Sequence, residues 1–454
     1  MAVSSMFDLD LQARYDVPGP RYTSYPAAPR FLENFGRADF RRAAQASNDE
    51  PIPRPLSLYV HVPFCASPCF YCGCNRIITR DRSRGEAYLA RLYREIAMVA
   101  SLFDRDRGVV QGHFGGGTPN FLTPGQLADA VDVLRSHFRF GDPRDIDLSI
   151  ELDPRFLASG DVALLAAAGF NRASLGVQDF DPAVQDAVNR RQSVEETLAA
   201  INACRQHGFR SVNLDLIYGL PRQTLAGFAQ TLETVIAARP DRLAVYGYAH
   251  LPEQFRPQRQ IASAELPPSR LKLELLQLAV THLTAAGYLY IGMDHFALPT
   301  DELACAQESG DLHRNFMGYT TRAASDLLGF GLSAISHIGD SYSQNPRTLA
   351  AWQTAVDAGQ LPVWRGLWLD DDDRVRADLI QQLMCGGAID TEALERRHHI
   401  RFEDYFAASL ARLGPLIDDG LVAVTERRVT ATSRGRLLLR IIAMCFDRYL
   451  TQRT

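Results

Sequence analysis

The residues best suited to chemistry lie in "YVHVPFCASPCFYCGCN", Tyr59 to Asn75, which holds four of the chain's eight cysteines. Cys65, Cys69 and Cys72 are spaced C-x3-C-x2-C, and Cys74 follows two residues later. Structural zinc takes four ligands, commonly as two separated pairs, and this is a different pattern. Three thiolates on one loop suit three corners of a [4Fe–4S] cubane and leave the fourth iron without a protein ligand. An iron left open in that way can bind a small molecule directly. Cys204, Cys305, Cys385 and Cys445 are scattered and read as small buried hydrophobes.

The cysteines need a frame, and the pattern around them supplies one. Strand-like runs appear at "LSLYVHVPF", "VVQGHFGGG", "DIDLSIELDP", "RASLGVQDF", "SVNLDLIYGLP" and "RLAVYGYAHLP". Helix-like runs separate them, "RGEAYLARLYREIAMVASLF" and "SVEETLAAINACRQHG" being the clearest. In the second, Ser193 with Glu196 three residues on reads as a capping box. Strand alternating with helix six times predicts an α/β fold with a parallel sheet and right-handed crossovers. Without a doubly wound fingerprint, the expectation is an open, partial (βα)6 barrel. Its cysteine loop leaves the C-terminal end of the first strand, where barrel enzymes carry their chemistry.

Four segments follow. Residues 1–54 form an arm rich in proline and arginine, 55–300 the barrel, 301–365 glycine- and polar-rich loops covering the site, and 366–454 a mainly helical domain. The last carries one hairpin, "LVAVTERRVTAT", and resembles a winged helix. The chain is acidic overall, with net charge −5 across 454 residues, and the wing carries only Arg427 and Arg428. A packing domain is therefore expected rather than a nucleic-acid reader. The first residues contain acids and no apolar core, and no apolar run reaches the length of a membrane span. The expectation is a cytoplasmic protein that neither enters a membrane nor binds nucleic acid.

A ligand on an open iron needs further partners. "GGGTP", Gly115 to Pro119, follows the second strand and lacks the lysine of a phosphate loop. It reads either as backbone approaching a ligand or as a tight turn. Glu151, Gln178, Asp215 and Ala249 stand at or near the ends of strands three to six, on one side of the barrel. Arg190, in "VNRRQS", suits a bidentate carboxylate contact or a solvated helix charge. His61, His295 and His313 read equally as donors near a site or as buried histidines, and Tyr246 and Tyr248 as barrel packing.

C-x3-C-x2-C after the first strand of a partial barrel resembles the signature of the radical S-adenosylmethionine (SAM) enzymes. The resemblance narrows further. "PGPRYTSYP", "YVHVPFC", "CFYCGCN", "GGGTP", "LGVQDF", "NLDLIYGLP", "YAHLP", "GMDHFA", "HRNFMGYTT" and "GFGLSAISHIGD" are similar to the oxygen-independent coproporphyrinogen III oxidases. That resemblance implies oxidative decarboxylation of two propionates of coproporphyrinogen III to vinyls, a porphyrin-building step without O₂. It implies a [4Fe–4S] cluster on Cys65, Cys69 and Cys72, with Cys74 close by but not a ligand. It implies SAM, with room for two molecules: Tyr59, Gly116, Glu151 and Ile335 fall on contacts to one, and Tyr71, Gly117, Thr118, Gln178, Arg190, Asp215 and Ala249 on contacts to the other. An electron donor and an electron acceptor of unassigned identity and a monomeric state complete what it implies.

Tyr71 stands where phenylalanine is common in the family, Ala27 where threonine is, and Met317 where glutamine is. Four propionates also call for cations, and Arg21 and Arg314, each beside aromatics, are the candidates; loop-bracing hydrogen bonds are the equal alternative. Two other readings share the signature: a haem chaperone related in sequence, and a radical SAM methyltransferase or haem-modifying enzyme. Chaperone relatives lack both the Cys74 position and the "PGPRYTSYP" arm, and this chain has both.

Overall fold

A computed structural model describes residues 7–450. The chain folds as two compact units that interleave along the sequence. One comprises Phe31–Leu266 and Ala324–Trp368; the other comprises the residues up to Arg30, Pro267–Ala323 and Leu369 onward.

The first unit is built on a sheet whose first six strands are β1 (Leu56–Val62), β2 (Gly108–Gly116), β3 (Asp147–Leu152), β4 (Arg172–Gln178), β5 (Ser211–Tyr218) and β6 (Arg242–Gly247). Each pairs in parallel with the next. β1 is buried along almost its whole length, as a strand covered on both faces must be. Helices α1 (Ser83–Ala100), α2 (Pro124–His137), α3 (Asp161–Ala168), α4 (Val194–Gln206) and α5 (Leu225–Ala238) return the chain between them. The capping box at Ser193 is formed: Glu196 N donates to its Oγ at 3.1 Å, and Ser193 N to Glu196 Oε2 at 2.9 Å.

The sheet does not stop at β1. β7 (Asp326–Phe330) lies parallel to β1 on its other side, and β8 (Ile335–Ile338), β9 (Ser341–Gln344) and β10 (Arg365–Trp368) continue antiparallel. This corrects the reading of that stretch as covering loops. Its glycines mark close backbone approach rather than freedom. A Cβ on Gly329 would stand 2.5 Å from the Ile335 carbonyl oxygen, and Gly331 turns at φ +88°.

At the turn after β7, the buried carboxylate of Glu95 on α1 gathers three donors. Gly331 N and Trp352 Nε1 each reach its Oε2 at 2.9 Å, and Asn345 Nδ2 reaches Oε1 at 2.6 Å. Beside it, Tyr88 OH donates to the His61 carbonyl at 2.7 Å and accepts from Leu332 N at 3.0 Å. Two side chains of one helix thus tie the β7 turn to β1.

In the second unit, the helix Asp371–Gly386 opens with an aspartate capping box at Asp370. Strands Ala388–Asp390, Val422–Thr425 and Arg428–Ala431 form a small antiparallel sheet, the third strand in the middle. With helices Thr391–His398 and Ala407–Asp418 they enclose a core that includes Leu379, Leu383, Leu394, Leu413 and Phe446. The arm expected over residues 1–54 divides between the units, and its part before Phe31 belongs to this one. Tyr22 OH donates to Asp447 Oδ2 at 3.0 Å, and Tyr25 OH accepts from Arg448 N at 3.1 Å. The apolar run near the C-terminus is a 3₁₀ turn over Gly435–Leu438 and an α-helix over Leu439–Met444, after which Arg412 Nε donates to the Cys445 carbonyl at 2.9 Å. Cys204 and Cys385 are buried as expected, but Cys305 is exposed on helix Glu302–Ser309 and Cys445 is half-buried.

Burial lifts the Glu95 carboxyl to about 7 from an ordinary 4.5, against the pull of its three donors. The folded chain therefore keeps a proton that the unfolded chain releases across that window. Stability contributed by this site falls as pH rises from about 4.5 to about 7 and is level above. Urea unfolding of the wild type and Glu95→Gln at pH 5 and pH 8 checks this. The variant is expected to lose about 2 kcal/mol less than the wild type between the two pH values.

Candidate active site

β1 delivers the cysteines. Directly after it, Phe64–Cys65 pairs in parallel with Ile77–Ile78, which closes the loop between them at its base. Ile77 N donates to the Pro63 carbonyl at 2.7 Å and Thr79 N to the Cys65 carbonyl at 3.0 Å. Arg76 braces the interior: Nη1 donates to the Cys72 carbonyl at 3.1 Å and Nη2 to the Cys69 carbonyl at 3.0 Å. His61 Nε2 lies 3.0 Å from the Asn75 carbonyl, which can only accept, so this nitrogen carries the hydrogen. Burial lowers the His61 pKa, and the neutral ring leaves Nδ1 to accept from Tyr59 OH at 3.2 Å. His61 is thus a strand histidine that tethers the cysteine loop.

The glycine run at the end of β2 lies against that loop through bare backbone. Gly117 N donates to the Val62 carbonyl at 2.8 Å and Thr118 N to the Phe64 carbonyl at 2.9 Å. A Cβ on Gly117 would meet the Pro63 carbonyl carbon at 2.8 Å. At Gly116, φ is +110° and a Cβ would lie 2.5 Å from the His61 ring. The approach brings Thr118 Oγ1 to 3.3 Å from Cys65 Sγ, to which it donates.

Beside the loop opens a cavity of about 180 Å³. Cys65, Cys69, Cys72 and Cys74 line it, together with Tyr71, Gly116, Gly117, Thr118, Glu151, Gln178, Arg190 and Asp215. Twelve residues singled out in the sequence therefore meet in one space. Glu151 accepts from Gly116 N at 3.1 Å and lies 3.3 Å from His113 Nε2. Desolvation would raise its carboxyl, but these partners bring it below the ordinary glutamate range. Asp215 goes the other way. Burial and the Glu151 charge push it up to about 6, although Asn213 Nδ2 at 2.9 Å and Ser174 Oγ at 3.1 Å donate to it. Two carboxylates in one cavity with opposite shifts offer one reliable acceptor and one group poised between acceptor and donor. Gln178 ends β4 at φ +69°, off the regular strand path, facing the cavity.

The thiols differ as well. Burial pushes Cys65 up to about 11, whereas hydrogen bonding from the Cys74 thiol, helped by the Arg76 charge and by the Cys74 backbone N–H at 3.4 Å, draws Cys72 down to about 6. Cys69 has two guanidinium neighbours, Arg190 Nη1 at 3.6 Å and Arg155 Nη2 at 3.8 Å. Among the described residues, no three His, Cys, Asp or Glu side chains converge on one metal ion. The three thiols are instead spread around a cavity rim, each with a donor of its own. That arrangement fits a cubane, in which each thiolate meets a different iron.

Three sequence candidates stand outside the cavity's lining. Tyr59 stacks on His113 with ring centres 5.8 Å apart, beneath Glu151. The Ala249 carbonyl accepts from Gln258 Nε2 at 3.2 Å, and the same amide holds the Tyr71 carbonyl at 3.0 Å. Ile335 is the first residue of β8. Arg21 and Arg314 belong to the other unit. There, Arg21 pairs with Asp294. Arg314 is buried, with its guanidinium 4.7 Å from the centre of the Tyr319 ring and its Nε donating to the Arg21 carbonyl at 3.3 Å. His313, also there, is held near neutrality by burial and accepts from Gln381 Nε2 at 2.6 Å. Asp153, Arg155, Ser174 and Arg76 line the cavity and escaped the sequence reading. "LDPR", straight after Glu151, is the local signal that could have found two of them.

Comparison with known proteins identifies the family. Residues 59–235 match the model of the radical SAM superfamily, and residues 369–438 match the HemN C-terminal domain. The oxygen-independent coproporphyrinogen III oxidase of Pseudomonas aeruginosa is 53% identical over 444 residues, covering 98% of this chain and 96% of that one. The Escherichia coli enzyme of the same name is 48% identical over 447 residues, with the same coverage of 98% and 96%. The solved structure of E. coli coproporphyrinogen III oxidase, described as a radical SAM enzyme, superposes with a TM-score of 0.92 at 48% identity and covers 98% of this chain and 99% of that one. From the cysteine loop to the C-terminal domain, this chain belongs to the oxygen-independent coproporphyrinogen III oxidases, a radical SAM family.

Proposed function

We propose that this chain converts coproporphyrinogen III to protoporphyrinogen IX, turning two propionates into vinyls with loss of CO₂. The observation that carries the reading is the single cavity where three rim cysteines and the polar ends of the parallel strands meet. Cys65, Cys69 and Cys72 hold the [4Fe–4S] cluster in this reading, and Cys74 stands beside Cys72 without being a ligand. Bound there, cluster and SAM together supply a carbon radical able to take hydrogen from an unactivated C–H bond, which side-chain acids and bases cannot do.

The chain's own residues bind and orient. Glu151, held ionised by His113 and Gly116 N, offers an acceptor to hydroxyl or ammonium groups of SAM. Asp215 and Gln178 offer further polar contacts, and Arg190 offers a cation to its carboxylate. Tyr71 presents an aromatic face whose backbone Gln258 fixes. Tyr59 stacks under Glu151 through His113, while Gly117, Thr118, Ala249 and Ile335 complete the SAM contacts, with room for a second molecule. In the other unit, Arg314 Nη1 is buried without a hydrogen-bond partner, a donor available to a propionate. Arg21 carries a second cation, balanced by Asp294 in this structure. A one-electron donor and an electron acceptor are required partners. The eight free thiols suit a reducing, cytoplasmic setting, and the chain acts as a monomer in this reading.

The reaction is tested by anaerobic reconstitution with iron and sulfide, then incubation with coproporphyrinogen III, SAM and a reductant. Divinyl product and 5′-deoxyadenosine are expected together by chromatography. Haem capture, or a methylated or ring-opened product, without vinyl formation would overturn the reading.

Single Cys65→Ser, Cys69→Ser and Cys72→Ser variants are expected to retain less than about a tenth of wild-type iron and sulfide after reconstitution, whereas Cys74→Ser keeps its full complement. Iron retained by the first three would reassign the ligands. Arg314→Glu and Arg21→Glu are each expected to raise KM for coproporphyrinogen III at least about tenfold with cluster content unchanged. Unaltered kinetics would remove that arginine from the substrate site.

A further inference from the structure

Three cysteines of the loop line the cavity, and their partners differ in charge. Cys65 receives a neutral hydroxyl from Thr118, and Cys72 a neutral amide from Cys74. The Arg76 charge acts on Cys65 and Cys72, but the sulfur that guanidinium N–H groups reach directly is that of Cys69, through Arg190 and Arg155. Both arginines share one carboxylate. Asp153 Oδ2 accepts from Arg190 Nη1 at 3.0 Å and from Arg155 Nη2 at 2.6 Å, and its Oδ1 accepts from Arg155 Nε at 2.9 Å.

These side chains are largely shielded: Arg155 is 12% exposed, Arg190 7% and Asp153 7%. Asp153 is itself fixed, its backbone N and carbonyl both paired with the Asn120 side chain at 3.0 Å. Two cations against one carboxylate leave a formal charge of +1 in a place where water screens little. A charge of that kind needs a counterion, and the nearest sulfur in the structure is Cys69.

We infer that Asp153 and Arg155, acting through Cys69, set the reduction potential of the cluster: the trio's surplus positive charge stabilises the reduced form. Reduction adds one electron to the cluster, and the potential of such clusters follows net charge and hydrogen bonds to the ligand sulfurs. A fixed positive charge at one ligand favours uptake of that electron and raises the potential. The inference rests on the assignment of Cys65, Cys69 and Cys72 as cluster ligands. Arg155 and Asp153 are cleaner probes than Arg190, which also faces SAM in the proposed function.

Charge counting makes the test sharp. Arg155→Gln brings the trio from +1 to 0, Asp153→Asn brings it to +2, and the double variant restores +1. Full-length protein is reconstituted anaerobically, its iron and sulfide are measured, and the cluster is titrated with dithionite in the absence of SAM, with the reduced signal followed by electron paramagnetic resonance. Arg155→Gln is expected at a more negative midpoint, by at least a tenfold change in the reduction equilibrium, or 59 mV for one electron. Asp153→Asn is expected to move in the opposite direction, and the double variant and Arg155→Lys to return towards the wild type. Wild-type midpoints in both single variants, shifts of the same sign, or failure of every variant to hold a cluster would overturn the inference, the last by making the trio a scaffold for the loop. A wild-type protein without cluster would instead overturn the ligand assignment.

Discussion

The site depends on a close approach of backbone to backbone. The end of β2 lies against the exit of β1 with no side chain between them, and at Gly116 and Gly117 any Cβ would collide with His61 or with the Pro63 backbone. Through that contact two main-chain hydrogen bonds lock the strands, and Thr118 is carried to Cys65. Remove the space and the cysteine loop must lift away from the strand ends that carry Glu151, Gln178 and Asp215. Neighbouring strands present these residues at one edge because they run parallel, so that their C-terminal ends lie together.

Behind the loop stands a second layer of restraint. Tyr88 and Glu95, one helical face of α1, hold both β1 and the turn after β7. Arg76 and His61 hold the loop's own carbonyls. None of these side chains offers a reacting atom. Their combined effect is a rim of thiols whose positions are set before any iron arrives, which lowers the conformational cost of taking up a cofactor.

Much of this was legible in the sequence. The six barrel strands announce themselves as apolar runs between helical patterns, since strands buried on both faces have no polar side to show. The cysteine cluster is read from spacing alone, because its four members sit within one loop. Other features depend on contacts the sequence does not advertise. Arg190 finds Asp153 37 residues earlier in the chain, and Tyr22 finds Asp447 425 residues later. Strands β7 to β9 are short and rich in glycine and serine, so they read as loop until the Ile335 backbone is seen lying over Gly329. The same holds for the cysteines outside the loop: helical position, not residue type, decides that Cys305 is exposed while Cys385 is buried.

The central claim is that the polypeptide leaves one iron of its cubane for SAM. Electron paramagnetic resonance of the dithionite-reduced, anaerobically reconstituted protein, recorded before and after adding SAM, tests it most directly. The account predicts a reduced-cubane signal whose g values change when SAM binds the vacant iron. A spectrum without a cubane, or one that SAM leaves unaltered, would contradict it.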